Sequence, residues 1–255
     1  MTHAICRVLS LNEVADNIFV LTVQASEVAA AVRPGQFINV RVAEGTDPLL
    51  RRPFSVYRTE RDQIEIIFNV VGKGSSALRG KRPGDTLDIL GPLGVPFSFS
   101  GDDFDTAVLV GGGLGVAPFP LATQTLRSVN KKIVTYLGAR TAAQLVPTHL
   151  DNVHVATDDG SKGFHGTVVE LLTRELEARK LSRPKIFACG PTKMLHALAA
   201  VAMEKDIPAE VSLEGPMACG FGICQGCPIE STTDDDKYLL VCKDGPVFNI
   251  KDVVI

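Results

Sequence analysis

Short apolar runs, broken by glycine or proline every ten or so residues, fill the first hundred positions. Between Pro34-Gly35, Gly45, Arg52-Pro53, Gly72, Pro83-Gly84 and Gly91-Pro92 lie FINVRV (37–42), SVYRT (55–59) and IEIIFNVV (64–71). These runs are rich in β-branched and aromatic residues, and their spacing predicts an antiparallel barrel or sandwich. From Thr106 the rhythm changes. TAVLV (106–110), KIVTYLG (132–138), VHVAT (153–157), KIFAC (185–189) and EVSL (210–213) suit buried parallel strands. Longer amphipathic segments separate the best-defined of them. Val116, Phe119, Leu126 and Val129 fall at helical spacing within 116–129. Thr167 and Glu170 form a capping-box pattern ahead of Leu171, Leu172 and Leu176, predicting a helix over 167–180. Pro191 is expected to open a third helix as its first residue, with Met194, Leu195 and Leu198 on one face. This alternation predicts an open α/β sheet with right-handed crossovers. The last forty or so residues fit neither pattern. The expected division is therefore 1–100 (β), 101–213 (α/β) and 214–255 (a small C-terminal region).

Composition adds mainly exclusions. The 255 residues are 45% hydrophobic and 22% charged, a balance that supports a real core. A net charge of −3 gives no electrostatic reason to expect nucleic acid or an anionic membrane as partner. The one acidic run, Asp234-Asp235-Asp236, reads as a solvated turn. Arg7, Glu13 and Asp16 interrupt the start where a signal peptide needs an unbroken apolar stretch. Thr106–Leu126 carries no charge, but its four glycines and two prolines argue against a spanning helix. A cytoplasmic protein is expected, and in that compartment clustered thiols are metal ligands or redox groups before they are disulfides.

Such a cluster exists. MACGFGICQGCPIE (217–230) holds three of the six cysteines, and a further one follows at 242. The spacing C-x4-C-x2-C-x14-C, through Cys219, Cys224, Cys227 and Cys242, matches the plant-type arrangement for a 2Fe–2S cluster. A loop wrapping such a cluster must pass very close to it. Gly220, Gly222 and Gly226 would allow that approach and positive φ angles. A structural zinc site is the alternative, although it more often shows two C-x2-C knuckles where this chain has one.

Three other segments carry candidate chemistry. VLVGGGLGVAP (108–118), with Gly111, Gly112, Gly113 and Gly115, is a glycine turn between a strand and a helix. Its backbone amides could meet a pyrophosphate, though it lacks the G-x-G-x-x-G spacing and could equally be a tight turn. FACGPTKM (187–194) puts Cys189, Gly190 and Pro191 at a strand end, where open α/β sheets place their ligand crevice. Cys189 would face a nicotinamide there, or be a small buried apolar residue, as Cys6 is expected to be. In LLRRPFSVY (49–57), Arg52 offers a guanidinium, Ser55 a hydroxyl, and Phe54 and Tyr57 rings for stacking on a flat heterocycle. The same stretch could also end a strand at an exposed turn. The five histidines show no metal spacing, and no nucleophile–base arrangement stands out, so hydrolysis is not supported.

PGQF (34–37), RPFS (52–55), GPLG (91–94), GGGLGVAP (111–118) and ACGP (188–191), in this order, resemble the ferredoxin reductase superfamily over essentially the whole chain. EGPMACGFGICQGC (214–227) and VCKDGPVF (241–248) narrow the resemblance to the electron-transfer subunits of bacterial NAD-dependent dihydroorotate dehydrogenases. The resemblance implies an FAD-binding barrel, a nicotinamide domain and a 2Fe–2S region. It implies an oxidoreductase of pyrimidine biosynthesis whose partner is an FMN-binding dihydroorotate dehydrogenase subunit, two copies of each forming a heterotetramer. It assigns Arg52, Pro53, Phe54 and Ser55, then Ile67, Phe68 and Asn69, then Gly74 and Ser75, to FAD. Family members often carry Arg where Asn69 stands and Thr where Ser75 stands, and Lys73 is the nearest substitute for that arginine. A 2Fe–2S centre passes single electrons whereas NAD accepts hydride, so a flavin able to do both must sit between them. No acid–base residue is required. Two rivals remain open at this point. One is a flavin subunit of a hydrogenase or ferredoxin:NADP complex, with Arg140 meeting a 2′-phosphate or capping a helix. The other is a zinc-stabilised interaction module without redox activity.

Overall fold

The fold follows from a computed structural model that describes residues 1–99, 103–178, 180–233 and 237–255. The acidic run at 234–236 and the expected boundary at 100/101 lie outside the described residues. Six strands form the first unit: β1 (Thr2–Ala15), β2 (Ile18–Gln24), β3 (Phe37–Arg41), β4 (Arg52–Glu60), β5 (Gln63–Asn69) and β6 (Thr86–Leu93). They close in the order β1-β2-β5-β4-β3-β6, so the predicted choice between barrel and sandwich resolves to a barrel. Closure depends on β1. Its first half pairs with β6 and its second half with β2, with irregularities at Val8/Ser10 and Glu13/Ala15 that bend it around the corner. Val8, Leu21, Ile38, Val56, Ile64 and Ile89 fill the interior, each at most 1% exposed. Cys6 is buried among them as expected. Two short helices, α1 (Ser26–Ala31) and α2 (Lys73–Arg79), flank the barrel, and Leu78 of α2 packs into its core.

The second unit is built on β7 (Thr106–Gly112), β8 (Lys132–Ala139), β9 (Val153–Thr157), β10 (Phe164–His165), β11 (Pro184–Cys189) and β12 (Ala209–Ser212). These pair in parallel, in the order β10-β9-β8-β7-β11-β12. Every residue of β7 is buried, which explains its unbroken apolar run. Helices α3 (Phe119–Ser128), α4 (Val168–Ala178) and α5 (Thr192–Glu204) cover the sheet. The capping box of α4 is present: the Thr167 N–H and hydroxyl donate to Glu170 Oε2 at 2.7 and 2.9 Å, and the Glu170 N–H donates to Thr167 Oγ1 at 3.2 Å. Three expected helix boundaries shift. Val116 belongs to a separate 3-10 turn (Gly113–Val116), and Val129, past the end of α3, is 47% exposed instead of joining its apolar face. Pro191 is the N-cap of α5 and not its first residue: its carbonyl accepts from the Met194 and Leu195 N–H groups at 2.9 and 3.1 Å.

The C-terminal region is less separate than the cysteine pattern implies. It holds a small hairpin, β13 (Pro228–Glu230) with β14 (Tyr238–Leu240), and then β15 (Val247–Asn249) joins the edge of the α/β sheet antiparallel to β12. Three residues are too few for a periodic signal. The units are also fastened together. Phe97 and Phe99, after the barrel, pack on Phe119 and Phe187 of the α/β unit, while Leu121 of α3 enters the barrel cluster. No helix among the described residues is long and apolar enough to cross a membrane.

Candidate flavin cleft and cysteine loop

Strand order in the sheet reverses between β7 and β11: the chain leaves β7 for β8 on one side and later returns to β11 on the other. Such a switch point leaves a crevice at the carboxyl ends of the strands. In this chain the crevice faces the barrel. A cleft of about 450 Å³ lies at the junction, with walls from the barrel, the α/β sheet and the C-terminal region. That size lies within the range for small-molecule sites, roughly 300–1,000 Å³.

Ten of the residues expected at a cofactor line this cleft: Arg52, Pro53, Phe54, Ser55, Ile67, Phe68, Asn69, Gly74, Ser75 and Cys189. The pairing of β4 with β5 puts the first two groups side by side on the barrel wall. Phe54 meets Phe68 edge to face at 6.0 Å, leaving an aromatic wall. Arg52 is fixed by a 2.7 Å bond from Nη1 to the Leu50 carbonyl. Gly74 makes room for it, because a Cβ there would lie 3.1 Å from Arg52 Nε. Ser75 holds the entry to α2, its hydroxyl oxygen accepting from the Val71 and Gly72 N–H groups at 2.9 and 3.2 Å. Lys73 also lines the cleft, but its ammonium is paired with Asp47 at 2.6 Å in the open.

Tyr57 departs from expectation. It is 1% exposed, and its hydroxyl hydrogen-bonds with Thr148 at 3.0 Å, so its ring ties barrel to α/β unit and does not line the cleft. Residues missed from sequence also line the cleft, among them Phe37, Leu114, Glu214 and Met217. Phe37 closes the quoted PGQF segment, and Glu214 follows directly on β12 at a strand end, a position at which a ligand-facing carboxylate could have been sought. Solvent reaches Glu214, yet the protein packed around it holds its carboxyl above the usual range. Cys189 lines the cleft although only 3% exposed. Burial, then the Glu214 carboxylate, push its thiol up to about 12, so at neutral pH it is an SH group and no nucleophile.

The glycine turn after β7 is mostly packing. Gly111, Gly112 and Gly115 are buried. A Cβ on Gly112 would strike Met194 Sδ at 2.5 Å, and one on Gly115 would lie 2.0 Å from the Cys189 carbonyl oxygen. Only Gly113, at φ +56°, is exposed with open space beside it. Gly190 and Pro191 line a second hollow of about 310 Å³, which shares Leu213 and Glu214 with the cleft. Arg140 caps no helix. It is exposed at the carboxyl end of β8, where its carbonyl accepts from the Asp159 N–H at 3.2 Å.

The four cysteines fall into two pairs. The Cys224 N–H donates to Cys219 Sγ at 3.5 Å, and the Gly226 N–H to Cys224 Sγ at 3.4 Å. In the other pair Cys227 Sγ and Cys242 Sγ are 3.2 Å apart, and the Cys242 N–H donates to Cys227 Sγ at 3.4 Å. Burial opposes ionisation of Cys219, but the N–H groups of Cys224, Phe221 and Ile223 aimed at its sulfur bring the thiol down to about 6. Burial, then Cys227, push Cys242 up to about 12; it also feels Cys219, so the pairs are neighbours. Gly220 and Gly222 have φ of +80° and +89° as expected, but Gln225, not Gly226, takes the third positive φ. Gly226 serves by proximity, since its N–H points at sulfur. Among the described residues, no three His, Cys, Asp or Glu side chains gather as one metal ion would require. Two thiol pairs with N–H donors on sulfur suit a two-iron centre, one pair per iron, better than a tetrahedral zinc.

A barrel and an α/β sheet meeting over a cleft, with a paired-cysteine loop beside it, define the class of ferredoxin-reductase-type iron–sulfur flavoproteins. The comparisons are narrower. Residues 6–97 match the oxidoreductase FAD-binding domain, and 214–254 match the iron–sulfur cluster binding domain of dihydroorotate dehydrogenase B. The chain is 40% identical to the dihydroorotate dehydrogenase B (NAD(+)) electron transfer subunit of Geobacillus kaustophilus, over 97% of both chains. It is 38% identical to that of Desulforamulus reducens, over 95% of this chain and 94% of the relative. Among solved structures it is similar to an NADH-dependent reduced ferredoxin-NADP oxidoreductase, at a TM-score of 0.86 and 29% identity, covering 98% of this chain and 90% of that one. Phthalate dioxygenase reductase shares the fold at a TM-score of 0.67 and 16% identity, over 94% of each chain. This chain belongs to the family of electron transfer subunits of NAD-dependent dihydroorotate dehydrogenase B, oxidoreductase subunits with FAD-binding and iron–sulfur domains.

Proposed function

We propose that the chain passes electrons to NAD+ from an FMN-bearing catalytic subunit that oxidises dihydroorotate to orotate, in a cytoplasmic complex holding two copies of each subunit. The supporting observation is the cleft at the junction of barrel, sheet and C-terminal region, with the paired cysteines on the segment that forms its third wall. FAD and a 2Fe–2S cluster bound there supply the exchange between single electrons and hydride. Residues 1–100 would hold FAD, 101–213 NAD and 214–255 the cluster. Cys219, Cys224, Cys227 and Cys242 would be the iron ligands. Arg52 and Ser55, with Asn69, Gly74 and Ser75, would take the polar half of FAD, and Phe54, Ile67 and Phe68 its apolar parts. Gly113, with Cys189, Gly190 and Pro191, would border the nicotinamide side. Exposed Phe221 and Ile223, 37% and 76% accessible beside the cysteines, make this loop the side that would meet the catalytic subunit.

The likeness to the ferredoxin-NADP oxidoreductase supports a second reading, a flavin subunit of a ferredoxin:NADP complex, at lower identity. One assay separates the two. The chain co-purified with its catalytic partner should show flavin and iron–sulfur absorbance and reduce NAD+ with dihydroorotate. A colourless preparation, or reduction driven by ferredoxin but not by dihydroorotate, overturns the proposal. At residue level, Arg52→Ala should weaken FAD retention roughly 10- to 100-fold, the loss of one charge-assisted bond of roughly 1.5–3 kcal/mol. Unchanged FAD affinity in fluorescence titration would remove Arg52 from the site.

A further inference from the structure

Strand β3 links the two halves of the site. Ile38 and Val40 point into the barrel core, so Phe37 and Asn39 share the outer face. Phe37 lines the flavin cleft. Two residues on, about 7 Å along the strand, Asn39 reaches the cysteine loop, where its Nδ2 donates to the Cys219 carbonyl at 2.9 Å. Asn39 is 1% exposed, and its Oδ1 has no hydrogen-bond partner. Leaving a buried acceptor unpaired is destabilising, and an apolar residue of similar shape would avoid it. An amide kept on a barrel wall at that disadvantage needs a reason, and the bond to Cys219 is the one it makes. The fit is close: Gly220, at φ +80°, brings its backbone so near that a Cβ would lie 1.9 Å from Asn39 Nδ2.

We propose that Asn39 is a positioning residue for electron transfer, pinning the Cys219 limb of the cluster loop to the strand that lines the flavin cleft. Its N–H also offsets the negative end of the Cys219 carbonyl, which belongs to the same residue as one candidate ligand sulfur. The inference rests on Cys219 being an iron ligand. Cys219 belongs to the pair held from the barrel side, whereas Cys227 and Cys242 are buried in the cluster that extends under the α/β sheet. Asn39 therefore acts on one thiol pair and not on the other.

The test uses the cluster-loaded, FAD-loaded full chain carrying Asn39→Leu. Melting temperature and FAD content should stay at wild-type levels, since the orphan acceptor disappears along with the lost bond. The EPR signature of the reduced cluster should change. The electron equilibrium between cluster and flavin should shift about tenfold away from the cluster, about 59 mV for a one-electron couple. Iron lost while FAD is retained would also support the role, because only the loop would have come loose. Unchanged EPR and unchanged potential in a loaded variant overturn it. Should Asn39→Leu fail to fold, Asn39→Ala, which removes the donor without adding bulk, is read the same way. In apo protein, amide exchange at 219–223 should quicken about tenfold in either variant while that of β3 stays slow; no change there also overturns it. Absence of iron and sulfide from the matured wild type would instead defeat the cluster reading beneath it.

Discussion

Cys227→Ala will leave a yellow protein that reduces dyes from NADH within about twofold of wild type, yet within the complex fails to reduce NAD+ from dihydroorotate by at least about 100-fold. The factor follows from its place. Residues one step removed from a metal already change affinity or activity 10–100-fold, and Cys227 is itself one of the four thiols. It is 3% exposed, 3.2 Å from its partner sulfur, and receives the Cys242 N–H. The flavin cleft takes no wall from residue 227, which is why the two activities separate. Cys6→Ala is the control, a buried thiol in the barrel core with no part in either pair. Iron and sulfide analysis with paired assays decides the matter: wild-type iron content in Cys227→Ala would remove this residue from the cluster, and loss of iron in Cys6→Ala would show that the assay reads folding alone.

What the sequence discloses depends on how local each signal is. The cysteine spacing and the PGQF, RPFS and ACGP segments are contiguous, and the chemistry they carry sits within a few residues, so they were readable. Strand positions were readable because β-branched runs between glycine or proline turns, and unbroken apolar runs, survive in single segments. The closure of the barrel was not, because it depends on bulges in β1 and on which strands meet, both set by long-range pairing. Tyr57 looked like a stacking ring because its neighbours are. Its ring instead packs among Val116, Leu145 and Val146 of the α/β unit, with its hydroxyl on Thr148, ninety-one residues later. Asn39 was invisible for a related reason: within FINVRV it is one polar residue in an apolar run, and only the loop 180 residues on gives it a partner. The glycines of 111–115 mixed two roles in one motif. Spacing cannot separate a glycine needed for packing from one needed by a ligand, whereas the contacts of a virtual Cβ can.

That separation leads to the second large effect, Gly115→Ala. The added methyl would lie 2.0 Å from the Cys189 carbonyl oxygen, 2.4 Å from its carbon and 2.7 Å from Gly190 Cα. All three are backbone atoms where β11 ends at the cleft, so no side chain can rotate aside. Overpacking of this kind commonly costs about 1–3 kcal/mol and occasionally more; contact with fixed backbone puts this case at about 3 kcal/mol or above. For a chain of this size each 1 kcal/mol lowers the melting temperature by roughly 2–4 °C, so a fall of about 6–12 °C is expected. Gly113→Ala tests the converse. Gly113 has open space around it but φ +56°, so its substitution should lose only the left-handed preference, about 1 kcal/mol. Thermal unfolding of the two variants side by side should therefore rank Gly115→Ala far below Gly113→Ala in stability. NADH-dependent dye reduction should also fall more in Gly115→Ala, because the displaced β11 end carries Cys189 and Gly190. Equal melting temperatures would mean that the turn can open at little expense, and the packing account of the glycine motif would fail.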